Sequence, residues 1–132
     1  MSWPVPRIDE ENEPFWTGGI DGHLKITRCA DCGYWLHPPT PRCGRCYSER
    51  VAPTPVSGRG RVYTYTVNEH AWMPGLEVPY VVAVVELEEQ PGLRLLTNIV
   101  GCPPREVAID MPVQVEFVER GAVFVPVFRP TT

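Results

Sequence analysis

Two Cys-x-x-Cys pairs decide the fold of this chain: Cys29-Ala30-Asp31-Cys32 and, after ten intervening residues, Cys43-Gly44-Arg45-Cys46. Two residues between thiols let the chain turn tightly, so both sulfurs of a pair face one ion. Gly33 and Gly44 are expected to supply the positive φ that such turns need. The spacing predicts a metal site of the zinc-ribbon type with four thiolate ligands, Cys29, Cys32, Cys43 and Cys46.

The ligand set indicates what the metal does. A site with four thiolates is closed, so it holds structure and does not activate water. Rubredoxin-like iron sites use the same ligands, so the sequence leaves zinc and iron open. Disulfides would need an oxidising compartment, and nothing in the chain suggests export. A thioredoxin-like pair would open a helix, whereas here two pairs flank a loop with Pro38, Pro39 and Pro41.

Composition restricts the class of protein. The chain has 132 residues, enough for one ordinary domain or two small ones, and its formal charge is −4. Four thiolates and one divalent ion would lower this to about −6, which opposes nucleic-acid binding. The longest apolar run, Tyr80–Val85, is too short to span a bilayer. We therefore expect a soluble cytoplasmic protein.

Residues 1–23 predict an acidic arm followed by a short helix. The stretch Glu13–Trp16 is typical of a helix start, with proline at the first helical position. Phe15, Trp16 and Ile20 would form an apolar stripe, while Gly18 and Gly19 weaken the helix and Gly22 ends it. The two adjacent aromatics either cover the ribbon or barrel, or insert into a partner.

Residues 24–57 predict the zinc ribbon and a linker. His23–Thr27 alternates and is expected to form the first ribbon strand, with Leu24 and Ile26 on one face. Tyr34–Leu36 follows the first cysteine pair and is expected to shield the metal. Val51–Ser57 contains two prolines and is interpreted as the linker.

Residues 58–132 predict a small β-barrel. Five runs rich in Val, Tyr, Thr and Phe, separated by turn residues, indicate strands at 61–68, 79–88, 93–101, 112–119 and 123–129. Pro126 cannot donate to a ladder, which places the last strand at an edge or bulge. A connection at 102–111 between the third and fourth strands is typical of an OB-fold. The fold class is mainly β: a short helix, a zinc ribbon and a five-stranded OB-fold barrel.

The ordered set of motifs from Pro14 to Phe128 resembles the family long catalogued as domain of unknown function 35, a rubredoxin-like zinc ribbon joined to an acyl-CoA-associated OB-fold. Asp110 departs from the glycine usual there, but Asp also tolerates a tight turn. The resembling segments are Phe15-Trp16, the four cysteines, Pro38-Pro39, Gly58–Val62, Pro79–Val82 and Ile109–Val113.

The resemblance implies a role inside a complex. Members of that family are accessory subunits of thiolase-superfamily enzymes: thiolases, acyltransferases, and the lipid-transfer-protein-like aldolases of steroid side-chain degradation. The OB-fold is thought to help form the CoA-thioester site. We therefore expect a non-catalytic subunit of an acyl-CoA-processing complex, preferably an aldolase, with the catalytic residues on the partner. The enzyme class of the chain alone stays open, and a complex of two plus two chains is the natural expectation.

Two groups of residues could serve that role. Arg45, Arg59 and Arg61 lie in a basic stretch, and arginine binds the phosphates of CoA by paired hydrogen bonds; a solvated or partner-facing surface explains them equally. His70, Trp72 and Met73 lie on the loop between the first two barrel strands, where OB-folds often bind ligands. An exposed Trp and Met indicate a partner interface, and His70 is a surface histidine or a general base. Cys102 shows no neighbouring base and is interpreted as a plain cysteine.

Other classes remain as alternatives. A zinc-ribbon and OB-fold nucleic-acid-binding protein could stack bases on Tyr63 and Tyr65, although the acidic charge opposes it. A stand-alone enzyme lacks paired carboxylates, a nucleophile elbow or an open metal site. An electron carrier of the rubredoxin type would need iron.

Overall fold

A computed structural model describes residues 5–131, so residues 1–4 of the predicted arm and residue 132 lie outside it. The predicted class, mainly β with a short helix, a ribbon and a closed five-stranded barrel, is confirmed. No helix among the described residues has the length and apolar character needed to cross a bilayer. The elements are the helix α1 (Glu13–Thr17), 3-10 turns at Gly18–Ile20 and Pro104–Glu106, ribbon strands β1 (Lys25–Cys29), β2 (Trp35–Leu36) and β3 (Val51–Pro55), and barrel strands β4 (Arg59–Asn68), β5 (Tyr80–Leu87), β6 (Arg94–Ile99), β7 (Pro112–Arg120) and β8 (Val123–Pro130).

The ribbon sheet has the order β2-β1-β3, and its third strand corrects an expectation. The segment interpreted as a linker pairs with β1 over five residues, with Pro53 opposite Thr27 and Pro55 opposite Lys25. The N–H of Val56 donates to the carbonyl of Leu24 (2.9 Å), so the backbone N–H groups of even-numbered residues face β1. The two prolines therefore have their nitrogens on the open side, where an edge strand needs no donor.

The barrel is closed with the strand order β4-β5-β6-β8-β7, and its pairings are antiparallel except for that of β6 with β8, which is parallel. All five strands were predicted, and their ends differ by no more than two residues. Inward and outward side chains alternate along β5, where Val81, Ala83, Val85 and Leu87 are at most 2% exposed. Closure follows from the pairing of β4 with β7 and of β8 with β6.

One seam of the barrel is sparsely paired. Between β6 and β8 the parallel register has a single residue pair in the described chain, Ile99 with Phe128. The Thr97 hydroxyl donates to the carbonyl of Pro126 across the same seam (3.0 Å). The last strand is not at a sheet edge, because β8 pairs with β7 over eight residues and also with β6. Pro126 is tolerated because its carbonyl lies at the seam with β6, where few backbone N–H donors are needed.

The helix and the turn after it pack on the barrel. Phe15 is buried in the main core and Trp16 is half-buried against it, but Ile20 is 67% exposed, so it does not continue the apolar stripe. Gly19 permits the close approach, because a Cβ there would lie 2.5 Å from Phe124 Cβ. The glycines therefore do more than weaken the helix: Gly19 lets the turn lie against β7 and β8.

The apolar side chains of the ribbon belong to two clusters, one shared with the barrel and one around the cysteines. Leu24, Ile26 and Trp35 belong to the main core with the barrel side chains. Leu36 instead packs with Cys29 and Cys43, flanked by Tyr34 and Val51. Of the three residues expected to shield the metal site, Tyr34 and Leu36 pack against the cysteines, whereas Trp35 faces the main core.

Candidate metal centre and interaction surfaces

The four predicted cysteines converge on one point. Their sulfur atoms all lie within 4.8 Å of one another. The Sγ atoms of Cys29 and Cys46 are 3.6 Å apart, as are those of Cys32 and Cys43. A tetrahedral zinc ion with Zn–S bonds of about 2.3 Å would place its sulfurs about 3.8 Å apart. The donor set therefore fits a single tetrahedral ion.

The two cysteine pairs sit in matching turns. In the first, Cys29 N–H donates to Tyr34 O (2.9 Å) and Gly33 N–H donates to Cys29 O (3.0 Å). In the second, Cys43 N–H donates to Ser48 O (2.8 Å) and Tyr47 N–H donates to Cys43 O (2.9 Å).

The positive φ of each turn therefore falls four residues after its first cysteine, at Gly33 (79°) and at Tyr47 (65°). The expectation for Gly44 was wrong, because its φ is not in the left-handed region. The second turn thus carries a tyrosine in a conformation that favours glycine.

The protonation behaviour of the sulfurs also fits a cation. The pKa of Cys29 is lowered to about 6, chiefly because the backbone N–H of Cys32 donates a hydrogen bond to its sulfur. Burial acts in the opposite direction but is outweighed. Although the Ser48 N–H opposes the change, burial and the three neighbouring sulfurs raise the pKa of Cys46 to about 12. The site forms its first thiolates readily and resists the last, so a bound divalent ion would complete the ionisation.

Charged side chains tie the two turns together. Asp31, between the first two cysteines, accepts a hydrogen bond from Ser48 and pairs with Arg50 (2.7 Å). Arg42 pairs with Glu49 (2.6 Å) and donates to Tyr47 O (3.0 Å). Arg42 and Arg50, which lie in the same arginine-rich part of the chain as Arg45, Arg59 and Arg61, therefore have structural partners within the ribbon.

The three candidate phosphate ligands do not come together. Arg45 lies over the ring of Tyr34, with 5.4 Å to the centroid, in the ribbon. Arg59 and Arg61 line a cavity of about 330 Å³ beside β4, whose lining does not include Arg45. Arg59 pairs with Glu88 (2.9 Å) and lowers the pKa of that carboxyl, while Arg61 donates to Asp110 O (2.9 Å). The negative charge of Glu88 offsets the charge that Arg59 would offer to a phosphate.

The loop between β4 and β5 presents an organised apolar surface. Trp72 is 72% exposed and Met73 is 43% exposed. The indole N–H donates to Asn68 Oδ1 (3.0 Å), and Asn68 Nδ2 donates to His70 O (3.0 Å). The imidazole of His70 packs edge-on against the indole, with ring centroids 4.7 Å apart. We call His70, Trp72 and Met73 the loop patch.

The remaining candidates differ in how accessible they are. Phe15 is 9% exposed and packs 4.9 Å from His37, so it offers little surface to another protein. Trp16 is half-buried and lines a second cavity of about 260 Å³. Burial, with the charge of Glu106, raises the pKa of Cys102, which makes it a poor nucleophile.

The second cavity was not predicted from the sequence. It lies beside the β6–β8 seam and is lined mainly by valines, with Trp16, Tyr80, Asn98 and Arg120 among its walls. These residues come from distant parts of the chain and follow the ordinary alternation of strands. Nothing local in the sequence identifies them as a group.

Two family models cover most of the chain. One, described as ChsH2, rubredoxin-like zinc ribbon domain, matches residues 16–52. The other, described as ChsH2, C-terminal OB-fold domain, matches residues 53–118.

Two curated relatives are longer proteins. The chain is 41% identical over 128 residues to a probable enoyl-CoA hydratase alpha subunit of Thermomonospora curvata, covering 96% of this chain and 40% of the relative. It is 38% identical over 114 residues to the 3-oxo-4,17-pregnadiene-20-carboxyl-CoA hydratase alpha subunit of Mycobacterium tuberculosis, covering 86% of this chain and 36% of the relative. The chain thus spans less than half the length of these two relatives.

A solved structure matches the whole fold. The matching chain belongs to a structure titled Ltp2-ChsH2(DUF35) aldolase, with a TM-score of 0.87 and 40% identity. The match covers 97% of this chain and 100% of that chain.

Proposed function

The chain belongs to the ChsH2 family, in which a rubredoxin-like zinc ribbon is joined to an OB-fold, and from that premise we propose that it is an accessory subunit of an acyl-CoA-processing complex. The reaction of the complex is the making or breaking of a carbon–carbon bond in a CoA thioester. The preferred case is aldol cleavage of a side chain, as in steroid degradation. The catalytic groups lie on a thiolase-like or lipid-transfer-protein-like partner.

One observation carries this proposal. Over 97% of its length the chain superimposes on a chain of the structure titled Ltp2-ChsH2(DUF35) aldolase, with a TM-score of 0.87 and 40% identity. The Mycobacterium tuberculosis relative is named for a substrate that is a CoA thioester of a pregnadiene carboxylic acid. The proposal transfers the subunit role and the substrate class from those proteins to this chain.

The chemistry of the described residues supports a non-catalytic role. The four cysteines are the one group of three or more metal-binding side chains found in residues 5–131. Four thiolates leave no coordination position for a substrate or water. The remaining thiol, Cys102, has a raised pKa.

We propose that the bound metal is zinc, held by Cys29, Cys32, Cys43 and Cys46. The sulfur geometry accommodates a tetrahedral ion, and zinc has no redox chemistry to perform in such a complex. Reduced thiolates of this kind are typical of the cytoplasm, which is our proposed location. When bound, zinc supplies structural cross-linking of the two cysteine turns.

The loop patch is the proposed contact with the partner. Exposed tryptophans dominate the energetics of many protein interfaces. Trp72 is held in place by Asn68 and His70 before any partner arrives, which limits the entropy lost on binding. Glu69 and Glu77 flank the patch in sequence. We therefore expect the partner surface that receives Trp72 to carry basic residues around it. Phe15 and Trp16 would support the interface indirectly, by holding the helix α1 against the barrel.

The arginines are the proposed phosphate contacts, with unequal weight. Among the described residues Arg61 donates to a backbone carbonyl, whereas Arg59 is paired with a carboxylate. Arg61 is therefore the better candidate for a CoA phosphate, and Arg45 would reach a phosphate only from the ribbon side. A complex with two copies of each subunit follows if the partner is a symmetric dimer.

The test is capture of the partner with a matched pair of variants. The tagged full-length chain is incubated with native cytosol, and the retained proteins are identified by mass spectrometry. We expect a thiolase-fold or lipid-transfer-protein-like subunit. Trp72→Ala should weaken its binding by about 30-fold, whereas Ile20→Ala, which removes a side chain of similar exposure elsewhere, should change it less than about threefold. Capture of nucleic-acid-binding proteins in its place would contradict the proposal.

A further inference from the structure

The sparsely paired seam between β6 and β8 leaves a hollow in the barrel wall. Only Ile99 and Phe128 pair directly between these strands in the described chain. A cavity of about 260 Å³ opens beside them, bounded on one side by Val5 and Pro6 of the arm and by Trp16 of the helix. The N-terminal segment therefore completes a space that the strands alone do not enclose.

The lining is predominantly hydrocarbon. Val81, Ile99 and Val127 form its floor and are at most 5% exposed. Val118 and Val125 are half-buried parts of the wall. Such a lining disfavours ordered water, which needs several polar partners, and suits an apolar group.

A few polar side chains complete the lining. Asn98 donates from Nδ2 to Val81 O (2.8 Å), which fixes its amide at the wall. Tyr80 and Arg120 also contribute to the cavity. An apolar hollow with a small number of placed polar groups is the usual construction of a small-molecule site.

We infer that this cavity binds the aliphatic acyl group of a thioester. That the ligand is a thioester rests on the proposed function. That its acyl group is aliphatic rests on the lining of the cavity. Its size and lining suit a saturated chain or a small ring, and the amide of Asn98 lies within the walls where a thioester carbonyl could accept a hydrogen bond. A polar or charged acyl group would lose its hydration without compensation.

The length of the acyl chain is the variable that tests the inference. Each methylene transferred from water into an apolar cavity strengthens binding by about fourfold. Affinity should therefore rise steeply with chain length and level off once the cavity is filled. A ligand held only by its thioester and amide groups would show no such dependence.

The experiment uses calorimetry on the full zinc-loaded chain. The probes are the acetyl, butanoyl, hexanoyl and octanoyl thioesters of N-acetylcysteamine, which carry the thioester without the CoA phosphates. We expect the affinity to increase at least tenfold between the butanoyl and octanoyl probes. Equal affinities along the series, or no binding of any probe at millimolar concentration, would overturn the inference.

Variants locate the site. Val125→Trp should fill the cavity and lower the affinity for the octanoyl probe at least tenfold, and Val118→Phe should act in the same direction. Val78→Trp is the matched control, because Val78 is 40% exposed and lies outside the cavity. Wild-type affinity in both cavity variants would overturn the inference. The two variants also guard against misfolding of one, which circular dichroism would reveal.

The outcomes separate this inference from the proposed function. If the partner is captured but no chain-length dependence is found, the acyl group binds elsewhere and only the cavity inference fails. If the dependence is found but no acyl-CoA enzyme is captured, the cavity stands and the accessory-subunit proposal fails. A probe that binds the isolated chain but not the assembled complex would show that the partner covers the cavity, which also overturns the inference.

Discussion

The side chain of Gln90 pairs with the backbone of Trp35 as a neighbouring strand would. Its Oε1 accepts from Trp35 N–H (2.9 Å) and its Nε2 donates to Trp35 O (3.1 Å). Gln90 follows the last residues of β5, whereas Trp35 begins β2 of the ribbon. Close by in sequence, Glu89 accepts from Ser57 N–H (2.7 Å). One barrel turn thus supplies the polar groups that hold the ribbon in a fixed orientation.

Replacement of Gln90 by alanine should reduce the free energy of unfolding by about 2 kcal/mol. The substitution leaves a partly buried N–H and a partly buried carbonyl of Trp35 without partners, and each unmet group costs about 1–3 kcal/mol before water enters. Urea unfolding with zinc present measures the loss. Gln114→Ala is the control, because Gln114 has one longer bond, to Ser57 O (3.3 Å), and should lose less than about 1 kcal/mol. Equal losses of unfolding free energy in the two variants would contradict a particular contribution of the Gln90–Trp35 hydrogen bonds to stability.

Removal of the metal should unfold the cysteine turns and spare the barrel. The cluster around the sulfurs contains only Cys29, Leu36 and Cys43 as buried members, too little apolar surface to hold the turns together. Amide hydrogen exchange after chelation should therefore lose protection across 29–50 and retain it in β5 and β6.

Cysteine variants test the same site by metal content. Wild type and Cys102→Ser should each contain about one equivalent of zinc by elemental analysis, and Cys43→Ser less than about one tenth. Retention of zinc by Cys43→Ser would contradict the assigned ligand set.

Substitution of Tyr47 by glycine should stabilise the second cysteine turn. Tyr47 has a φ of 65°, in the region where a side chain costs about 1–2 kcal/mol, and part of that gain is lost to the greater freedom of glycine when unfolded. We expect an increase of about 0.5 kcal/mol in the free energy of unfolding at saturating zinc. Gly33→Ala is the converse control and should lose about 1 kcal/mol, because alanine is strained at the φ of 79°. No steric clash adds to this loss, since the nearest atom to its Cβ would be Arg28 Nη2 at 3.6 Å. A loss in both variants would indicate that the tyrosine ring contributes more than its backbone costs.

The burial of His37 should make the stability of the fold depend on pH. Burial lowers the pKa of His37 below its ordinary value, so the unfolded chain binds a proton more readily than the folded one. This contribution to stability is fully present above the unfolded pKa of about 6.5 and is lost as the pH falls through the window below it. Zinc-loaded His37→Phe should show a shallower fall between about pH 7 and pH 5.5 than wild type, measured by urea unfolding. Parallel curves would assign the fall to the metal site instead.

The strands and the metal site were predictable because their signals are local. Alternating residues such as Val113 and Val115, and two cysteine pairs at short spacing, specify their structures within a few residues. The strand β3 was not predicted, because Pro53 and Pro55 argue against a strand unless its position at a sheet edge is known.

Other features depend on tertiary contacts. Gln90 and Trp35 are 55 positions apart, and no pattern in either neighbourhood connects them. Ile20 fits a helical stripe, but the chain changes to a 3-10 turn after Thr17 and rotates that side chain into solvent. The cavity beside the β6–β8 seam depends in the same way on which strand pairs are missing.

The most direct test is an activity assay on the reconstituted complex. The captured partner is purified without this chain and assayed with a β-hydroxyacyl-CoA thioester that carries a branched side chain, before and after addition of the zinc-loaded chain in equal amounts. We predict that cleavage to two carbonyl products requires both subunits and that Trp72→Ala reduces it in proportion to lost binding. Full activity of the partner alone, unchanged on addition of this chain, would contradict the role of accessory subunit.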